Sequence, residues 1–199
     1  MVDTQLGLTW VFNGCIFNHQ DIRRDLEKVG YKFFSEADSE VIGKAYHHWG
    51  LEFVDKLRGM FAIALIETDS GRVVLARDRF GIKPLYLAEG PGRLRFASSL
   101  QALLEAGEVD TSLDRVALHH YFSFHAVVPA PRTIFNGIRK LPPATVRRYE
   151  RDGQVVTLTL NRPEKLNAFS DELVGLLGDA LHRFDTDDEA HIAILCGNG

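Results

Sequence analysis

The sequence predicts an α+β fold with covered sheets, and three observations lead to that prediction. Met60 to Ile66 is a nearly unbroken apolar run, which is typical of a strand buried on both faces. Two short stretches before it repeat apolar residues at the spacing of amphipathic helices. The strands after it follow one another without helices between them, so the pattern is not the βαβ repeat of a parallel α/β fold.

The first elements follow from local patterns. Leu6 to Ile16 clusters aromatic and β-branched residues around Asn13-Gly14, so we expect two strands that meet at a tight turn. Asn18 can then cap a helix that Gly30 ends. The apolar face of that helix comprises Ile22, Leu26 and Val29. A second helix is expected from about Asp38 to Gly50.

The chain after the buried run predicts further strands and two more helices. The turn at residues 68–71 leads into a strand at Val73 to Ala76. The next expected elements are strands at 85–88 and 94–97, helices at 100–105 and 113–124, and a Pro-rich extended connection at 129–143.

The pattern changes once more from Gln154. Val155 to Leu160 and Ile192 to Leu195 are predicted strands, and Ser170 caps a predicted helix between them. The three elements form a single βαβ unit. Such a unit is too small to be stable alone, because its strand edges and one sheet face stay uncovered.

Composition narrows the classes of partner. The net charge is −4 and 25% of residues are charged, so the chain has no basic field that would recruit nucleic acid or an anionic membrane. A small-molecule substrate is the default expectation. Cys15 and Cys196 are the two cysteines and lie far apart in sequence, which fits a reducing cytoplasm and no disulfide framework. The histidines, including the adjacent pairs at 47–48 and 119–120, show no metal-ligand spacing, so no metal site is expected.

Ordered sequence blocks resemble the class II glutamine amidotransferase domain of the asparagine-synthetase family. The blocks are VFNGCIFN at 11–18, DSE at 38–40, LRGMFAIAL at 57–65, LARDRFGIKPLYLA at 75–88 and the stretch 110–144. Within that family the motif sequences are most similar to those of N-acetylglutaminylglutamine amidotransferases. The resemblance implies an αββα sandwich of the N-terminal-nucleophile type and hydrolysis of glutamine to supply ammonia for ATP-dependent amide formation.

The resemblance also implies roles for four residues in binding glutamine. The Asn13 side-chain amide and the Gly14 backbone N–H would form an oxyanion hole, and Asp38 would hold the substrate's α-amino group. Cys15 stands where asparagine synthetases usually carry a Glu that grips the same amino group. Each residue has a plainer interpretation: Asn13-Gly14 as a hairpin turn, Asp38 as a helix N-cap, and Cys15 as a small buried hydrophobe.

The nucleophile of the family is absent from the expected place. N-terminal-nucleophile amidotransferases carry Cys directly after the initiator Met, and here position 2 is Val. We therefore expect Met1 to be internal to the family pattern, with its N-terminal part missing and no catalytic residue present. ATP and Mg serve the parent family, but no SGGxDS-type loop follows residue 144, so no cofactor is expected in this chain.

The C-terminal quarter resembles a different family. VVTLTLNRPEKLNAFSDEL at 155–173 and AHIAILCGNG at 190–199 are similar to the opening of the crotonase family, the enoyl-CoA hydratases and isomerases. The resemblance implies that Lys165, Leu166 and Ala168 lie along coenzyme A. The alternative for Lys165 is a solvated loop lysine.

The expected organisation therefore has three parts. They are an amidotransferase domain at 1–98, a linker and the start of a synthetase-like domain at 99–147, and a crotonase-like fragment at 148–199, joined near Arg147-Arg148. Three hypotheses for function stay open: an amidotransferase fragment, a CoA-binding crotonase fragment, and a non-catalytic remnant or gene-model artefact. We expect non-specific self-association, because both regions are cut through their sheets.

Overall fold

The computed structural model describes residues 1–150 and the backbone of two further strands at 154–160 and 190–197. The chain divides into two compact units, Met1–Lys83 with Pro143–Arg151 and Pro84–Pro142 with Asp152–Gly199. Both units combine helices with a sheet, so the α+β prediction is confirmed. In the parts described, no helix is long and apolar enough to cross a membrane.

The first unit contains an antiparallel sheet in the order β1-β2-β3-β4-β8. Its strands are β1 (Val2–Asp3), β2 (Leu8–Ile16), β3 (Gly59–Glu67), β4 (Val73–Arg77) and β8 (Val146–Tyr149). The long β2–β3 ladder runs without a break from Leu8 opposite Glu67 to Ile16 opposite Gly59. Phe61 through Ile66 is buried, which confirms the prediction of a strand covered on both faces.

Helices pack against this sheet and complete the core of the first unit. They are α1 (His19–Lys28), α2 (Asp38–Trp49) and the short α3 (Phe53–Lys56), with a 3-10 turn at Gly50–Glu52. Ile22 and Leu26 of α1 are buried, and so are Val41, Ile42 and Ala45 of α2. Gly43 of α2 is tightly packed, because a Cβ there would come within 2.5 Å of the Trp10 ring. The helix and the sheet therefore approach as closely as glycine allows.

The second unit contains a mixed sheet in the order β7-β5-β6-β10-β9. Its strands are β5 (Tyr86–Gly90), β6 (Arg93–Ala97), β7 (Arg139–Lys140), β9 (Gln154–Leu160) and β10 (Ala190–Gly197). Strands β9 and β10 run parallel, and β10 also pairs parallel with β6 at Ile192 and Leu94. Two helices precede β7, α4 (Leu100–Glu105) and α5 (Arg115–Ser123). Ala88, Leu103 and Ile138 form the centre of a small core.

Several local predictions are wrong in detail. Asn13-Gly14 is not a turn, because both residues lie inside the continuous strand β2. Asn18 precedes α1 without capping it: its side chain donates to the Lys56 carbonyl and accepts from the Arg58 N–H. Val29 is exposed, so the apolar face of α1 ends at Leu26.

The C-terminal prediction is corrected in part. Strands β9 and β10 form where expected and run parallel, but β10 is not an open edge because it pairs with β6. The helix predicted between them lies outside the described residues. Arg147 and Arg148, the expected junction, lie in β8 and pair with Leu75 and Val74 of β4.

Candidate functional site

Gly14 occupies a position in β2 that only glycine fits. It lies opposite Phe61, and a Cβ built on it would come within 2.1 Å of the Met60 carbonyl oxygen and 2.8 Å of the Phe61 Cα. Gly59 mirrors this restriction, since its Cβ would meet the Cys15 carbonyl oxygen at 2.1 Å. The two strands therefore approach unusually closely at the end of the ladder.

The register fixes the direction in which the Gly14 N–H points. Phe61, directly opposite, receives a hydrogen bond on its carbonyl from the Asp78 N–H, so its backbone polar groups face β4 rather than β2. Gly14 and Phe61 thus form a non-hydrogen-bonded pair. The backbone N–H and C=O of Gly14 consequently point away from β3, toward the outer edge of β2.

Among the described residues, the outer edge of β2 is covered only at its two ends. Met1 and Trp10 exchange backbone hydrogen bonds, and β1 pairs no further along β2 than that. At the other end the Ile16 N–H donates to the Asp38 carboxylate over 2.9 Å. Between these points, no described strand pairs with Phe12 or Gly14. The Gly14 N–H is therefore an outward-facing donor, two residues along β2 from the Ile16 N–H that binds the Asp38 carboxylate.

Asn13 and Cys15 share one face of β2, because side chains alternate along a strand. The Asn13 side chain is exposed and makes no hydrogen bond to any other described residue. Cys15 is half-buried and free. The structure brings the four predicted residues onto one stretch of β2 and the start of α2, and it shows one amide side chain and one backbone N–H available as donors.

Asp38 is the first residue of α2, and Ala37 occupies the N-cap position. Its interpretation as a side-chain N-cap is wrong, since no side-chain cap hydrogen bond forms at this helix. The carboxylate instead links α2 to β2 through the Ile16 N–H. One oxygen is used in this way, which leaves the half-buried carboxylate with capacity to accept further donors.

Asp78 is a buried carboxylate that the sequence reasoning did not single out. Its oxygens accept the backbone N–H groups of Phe61, Phe80, Ile82 and Lys83 at 3.0–3.2 Å. Burial alone would raise the pKa of Asp78, but these four donors favour the charged form and hold the pKa below its usual value. The carboxylate thereby fixes the residue opposite Gly14 and the loop that follows β4.

Glu40 forms a second buried polar centre near the start of α2. It accepts from the Phe34 and Ser35 N–H groups, the Ser35 hydroxyl and the Lys44 ammonium, the last over 2.8 Å. Burial opposes the charged form, yet the ammonium and the N–H donors leave the pKa of Glu40 lowered. Lys44 in turn lies 3.7 Å from Asp3. A carboxylate spaced four residues before a lysine is a signal that sequence reading could have used.

A separate open cleft of about 440 Å³ lies at the Leu8–Glu67 end of the ladder. That end is about 20 Å from Gly14 at the rise of a β-strand. Glu67 accepts the Tyr46 hydroxyl over 2.6 Å and binds the Arg72 guanidinium through both oxygens. Burial, with a smaller contribution from the hydrogen bond to Glu67, raises the pKa of Tyr46 to about 12. These groups satisfy one another's hydrogen bonds, and their distance from Gly14 separates the cleft from the candidate site.

The remaining predicted residues, Lys165, Leu166 and Ala168, lie outside the described part of the chain. No group of three or more His, Cys, Asp or Glu side chains in the described part could share a cation.

Residues 1–159 match the family model described as the glutamine amidotransferase domain. The chain belongs to that family. Residues 150–199 match the model described as enoyl-CoA hydratase/isomerase, so the two matches overlap at 150–159.

Individual relatives carry asparagine synthetase names. Glutamine-hydrolyzing asparagine synthetase 1 of Bacillus subtilis is 34% identical over 174 residues, which are 86% of this chain and 27% of the relative. Glutamine-hydrolyzing asparagine synthetase 3 of Arabidopsis thaliana is 44% identical over 92 residues, 46% of this chain and 16% of the relative. The chain thus spans about a quarter or less of these relatives.

Among solved structures, glutamine phosphoribosylpyrophosphate amidotransferase of B. subtilis, complexed with ADP and GMP, superposes with a TM-score of 0.49 at 17% identity. That match covers 73% of this chain and 28% of the other.

Proposed function

We propose that the first unit is a glutamine-binding half-site of the amidotransferase type and that the 199-residue polypeptide does not itself hydrolyse glutamine. In this proposal the Asn13 amide and the Gly14 N–H face the substrate's side-chain carbonyl. Asp38 accepts its ammonium group. Cys15 lines the site without supplying charge.

The observation that carries the proposal is the outward direction of the Gly14 N–H, two residues along β2 from the Ile16 N–H that binds Asp38. An oxyanion hole needs donors fixed before the reaction, since donors that must reorganise stabilise developing charge poorly. The close approach of β2 and β3 and the Asp78 hydrogen bonds to Phe61 hold Gly14 in this way. The family membership supplies glutamine as the ligand.

Turnover requires a nucleophile, and donors alone stabilise an oxyanion only after one has formed. Cys15 lies within the strand β2. The amidotransferase nucleophile pairs a thiol with the free α-amino group of the same residue as base. Cys15 has no free α-amino group, so it does not replace that pair.

The test combines binding with turnover. Calorimetric titration of the purified chain with L-glutamine is expected to show saturable binding that Asp38→Asn weakens about tenfold, the loss of one charge-assisted contact. Asp25→Asn is the matched control, because Asp25 is exposed on α1 and pairs only with Lys28 there. Equal binding by Asp38→Asn and wild type would overturn the site.

The turnover half of the proposal is tested by ammonia release. No release above the buffer rate is expected from wild type or from Cys15→Ser. Release that Cys15→Ser abolishes would contradict the assignment of Cys15 as a lining residue.

We further propose that the subfamily is that of the N-acetylglutaminylglutamine amidotransferases. In a complete enzyme of that type, the ammonia would pass to an ATP-activated carboxylate. We also propose a cytoplasmic location.

The second candidate function is CoA-thioester binding by the C-terminal residues. It is supported by the enoyl-CoA hydratase/isomerase match at 150–199 and by the parallel β9–β10 pair. Titration with acetyl-CoA is expected to give at most weak binding. Micromolar binding that Lys165→Ala removes would favour this candidate over the first.

The third hypothesis is a non-catalytic remnant or gene-model artefact that joins two partial genes. Sequencing genomic DNA across the codons for Arg147 and Arg148, and beyond both ends, tests it. An uninterrupted reading frame found in the transcript would reject the artefact.

A further inference from the structure

Glu40 is a buried carboxylate to which the proposed function gives no role. It lies on α2 two residues after Asp38, and its side chain is completely buried. One oxygen accepts the Phe34 N–H over 3.0 Å and the Lys44 ammonium over 2.8 Å. The other oxygen accepts the N–H and the hydroxyl of Ser35 over 2.9 and 2.8 Å. Each oxygen therefore meets two donors, which fixes the carboxylate in one orientation.

The hydroxyl of Ser35 extends this network to the residue before Asp38. It donates to Glu40 and accepts the Ala37 N–H over 3.3 Å. The Ala37 carbonyl in turn accepts the backbone N–H of Glu40, also over 3.3 Å. Both backbone groups of Ala37, the N-cap residue of α2, are thus held by Glu40 or by its partner Ser35.

The peptide on the other side of Asp38 is held as well. The Ser39 carbonyl accepts the indole N–H of Trp10 over 2.9 Å, and the Trp10 ring is buried against Gly43 of the same helix. The backbone of Asp38 therefore lies between two fixed peptides. From this position the Asp38 carboxylate reaches the Ile16 N–H over 2.9 Å.

We infer that Glu40 is the positioning residue for Asp38 and that Ser35 is the relay between them. The inference rests on the proposed function, in which Asp38 accepts the ammonium group of glutamine. A binding carboxylate must be held close to its productive geometry by neighbours that are themselves fixed. The ionised form of Glu40 is needed for this, because an isosteric Gln places an NH2 group, which only donates, against two donors in either orientation.

The first unit repeats this arrangement at the far end of the β2–β3 ladder. There the Ser70 hydroxyl donates to the Glu67 carboxylate over 2.6 Å and accepts the Arg72 N–H over 3.1 Å. Ser70→Ala and Glu67→Gln therefore remove the same kinds of contact without touching the candidate site. They serve as matched controls for Ser35→Ala and Glu40→Gln.

Amide hydrogen exchange of the full chain reports the position of the Asp38 carboxylate without a ligand, because the Ile16 N–H is bonded to it. Glu40→Gln and Ser35→Ala should each speed exchange at Ile16, relative to the amides of β3, by about fivefold or more. The two controls should leave this ratio unchanged. Ser35→Ala keeps the ion pair between Glu40 and Lys44, so it carries the test even where Glu40→Gln does not fold. An unchanged ratio in Ser35→Ala would overturn the inference.

Calorimetric titration with L-glutamine then separates positioning from general stability. Glu40→Gln and Ser35→Ala should each weaken binding by about threefold to tenfold, and neither should weaken it further when combined with Asp38→Asn, because both act through Asp38. Losses that add to that of Asp38→Asn, or equal losses in the controls, would overturn the inference. Absence of binding by the wild type would refute the proposed function instead, and exchange at Ile16 would still decide whether Glu40 holds Asp38.

Discussion

Gly14→Ala probes the strand contact on which the candidate site rests. The added Cβ would come within 2.1 Å of the Met60 carbonyl oxygen and 2.8 Å of the Phe61 Cα. Both are backbone atoms of β3, so neither can rotate away as a flexible side chain would. Relief requires β2 and β3 to separate, which also strains the neighbouring ladder hydrogen bonds.

The cost should be at the upper end of that for overpacking, about 3 kcal/mol in the free energy of unfolding. For a chain of 199 residues, this corresponds to a fall of roughly 6–12 °C in the melting temperature. Gly90→Ala is the control, because no atom lies within 4 Å of a Cβ at Gly90. It should change the free energy of unfolding by less than about 0.5 kcal/mol.

Urea unfolding followed by tryptophan fluorescence and by circular dichroism measures both variants. If Gly14→Ala unfolds at the same urea concentration as Gly90→Ala, then Gly14 does not face Met60 and the register of β2 is wrong.

Further predictions concern the buried polar groups. Asp78→Ala should lower the free energy of unfolding by about 3 kcal/mol or more, because it leaves four backbone N–H donors, including that of Phe61, without an acceptor. A urea midpoint of unfolding equal to that of the wild type would contradict this. Since the folded pKa of Asp78 is lowered, its stabilisation is present above the unfolded value near 4 and is lost as pH falls through the folded pKa; Asp78→Asn should remove this acid dependence. Tyr46→Phe should cost about 1 kcal/mol, and ultraviolet titration should lose a tyrosine that ionises near pH 12; an unchanged titration curve would contradict the Tyr46–Glu67 hydrogen bond. Lys44→Ala should destabilise by about 3 kcal/mol, because the buried Glu40 carboxylate loses its ammonium partner; a neutral effect would argue against that pair.

Hydrophobic pattern was sufficient to predict most elements of the first unit. The run at 60–66 predicted β3 because a strand covered on both faces needs apolar residues at every position. The spacing in α2, with its stop at Gly50, predicted that helix to within a residue. These signals are local, so one sequence is enough to read them.

Signals that depend on tertiary contacts were misread. Asn13-Gly14 is the strongest short-range turn signal, yet pairing with β3 along the whole length of β2 overrides it. The glycine is required by the approach of Met60, which is 46 positions away in sequence and cannot be read locally. Asp78 was missed although three of its N–H partners, at 80, 82 and 83, lie within five residues of it. Only its contact with the Phe61 N–H, 17 positions away, depends on the assembly of β3 and β4.

The candidate site was therefore located by resemblance and explained by structure. The family motif sequences predicted the roles of Asn13, Gly14, Cys15 and Asp38, and these roles stay predictions. The register adds the physical reason that these residues could act together. The Gly14 N–H points outward from β2, the adjacent Asn13 side-chain amide has no hydrogen-bond partner among the described residues, and the Asp38 carboxylate binds the last N–H of the strand at Ile16.

The central claim is that the Gly14 N–H faces a bound ligand, and selective amide labelling of glycine tests it directly. In titrations with L-glutamine, the Gly14 amide resonance should shift in a saturable manner, and Asp38→Asn should displace the curve to about tenfold higher ligand concentration. The Gly90 resonance in the second unit should not move. A Gly14 resonance that stays fixed at saturating L-glutamine, or one that shifts equally in Asp38→Asn, would contradict the account.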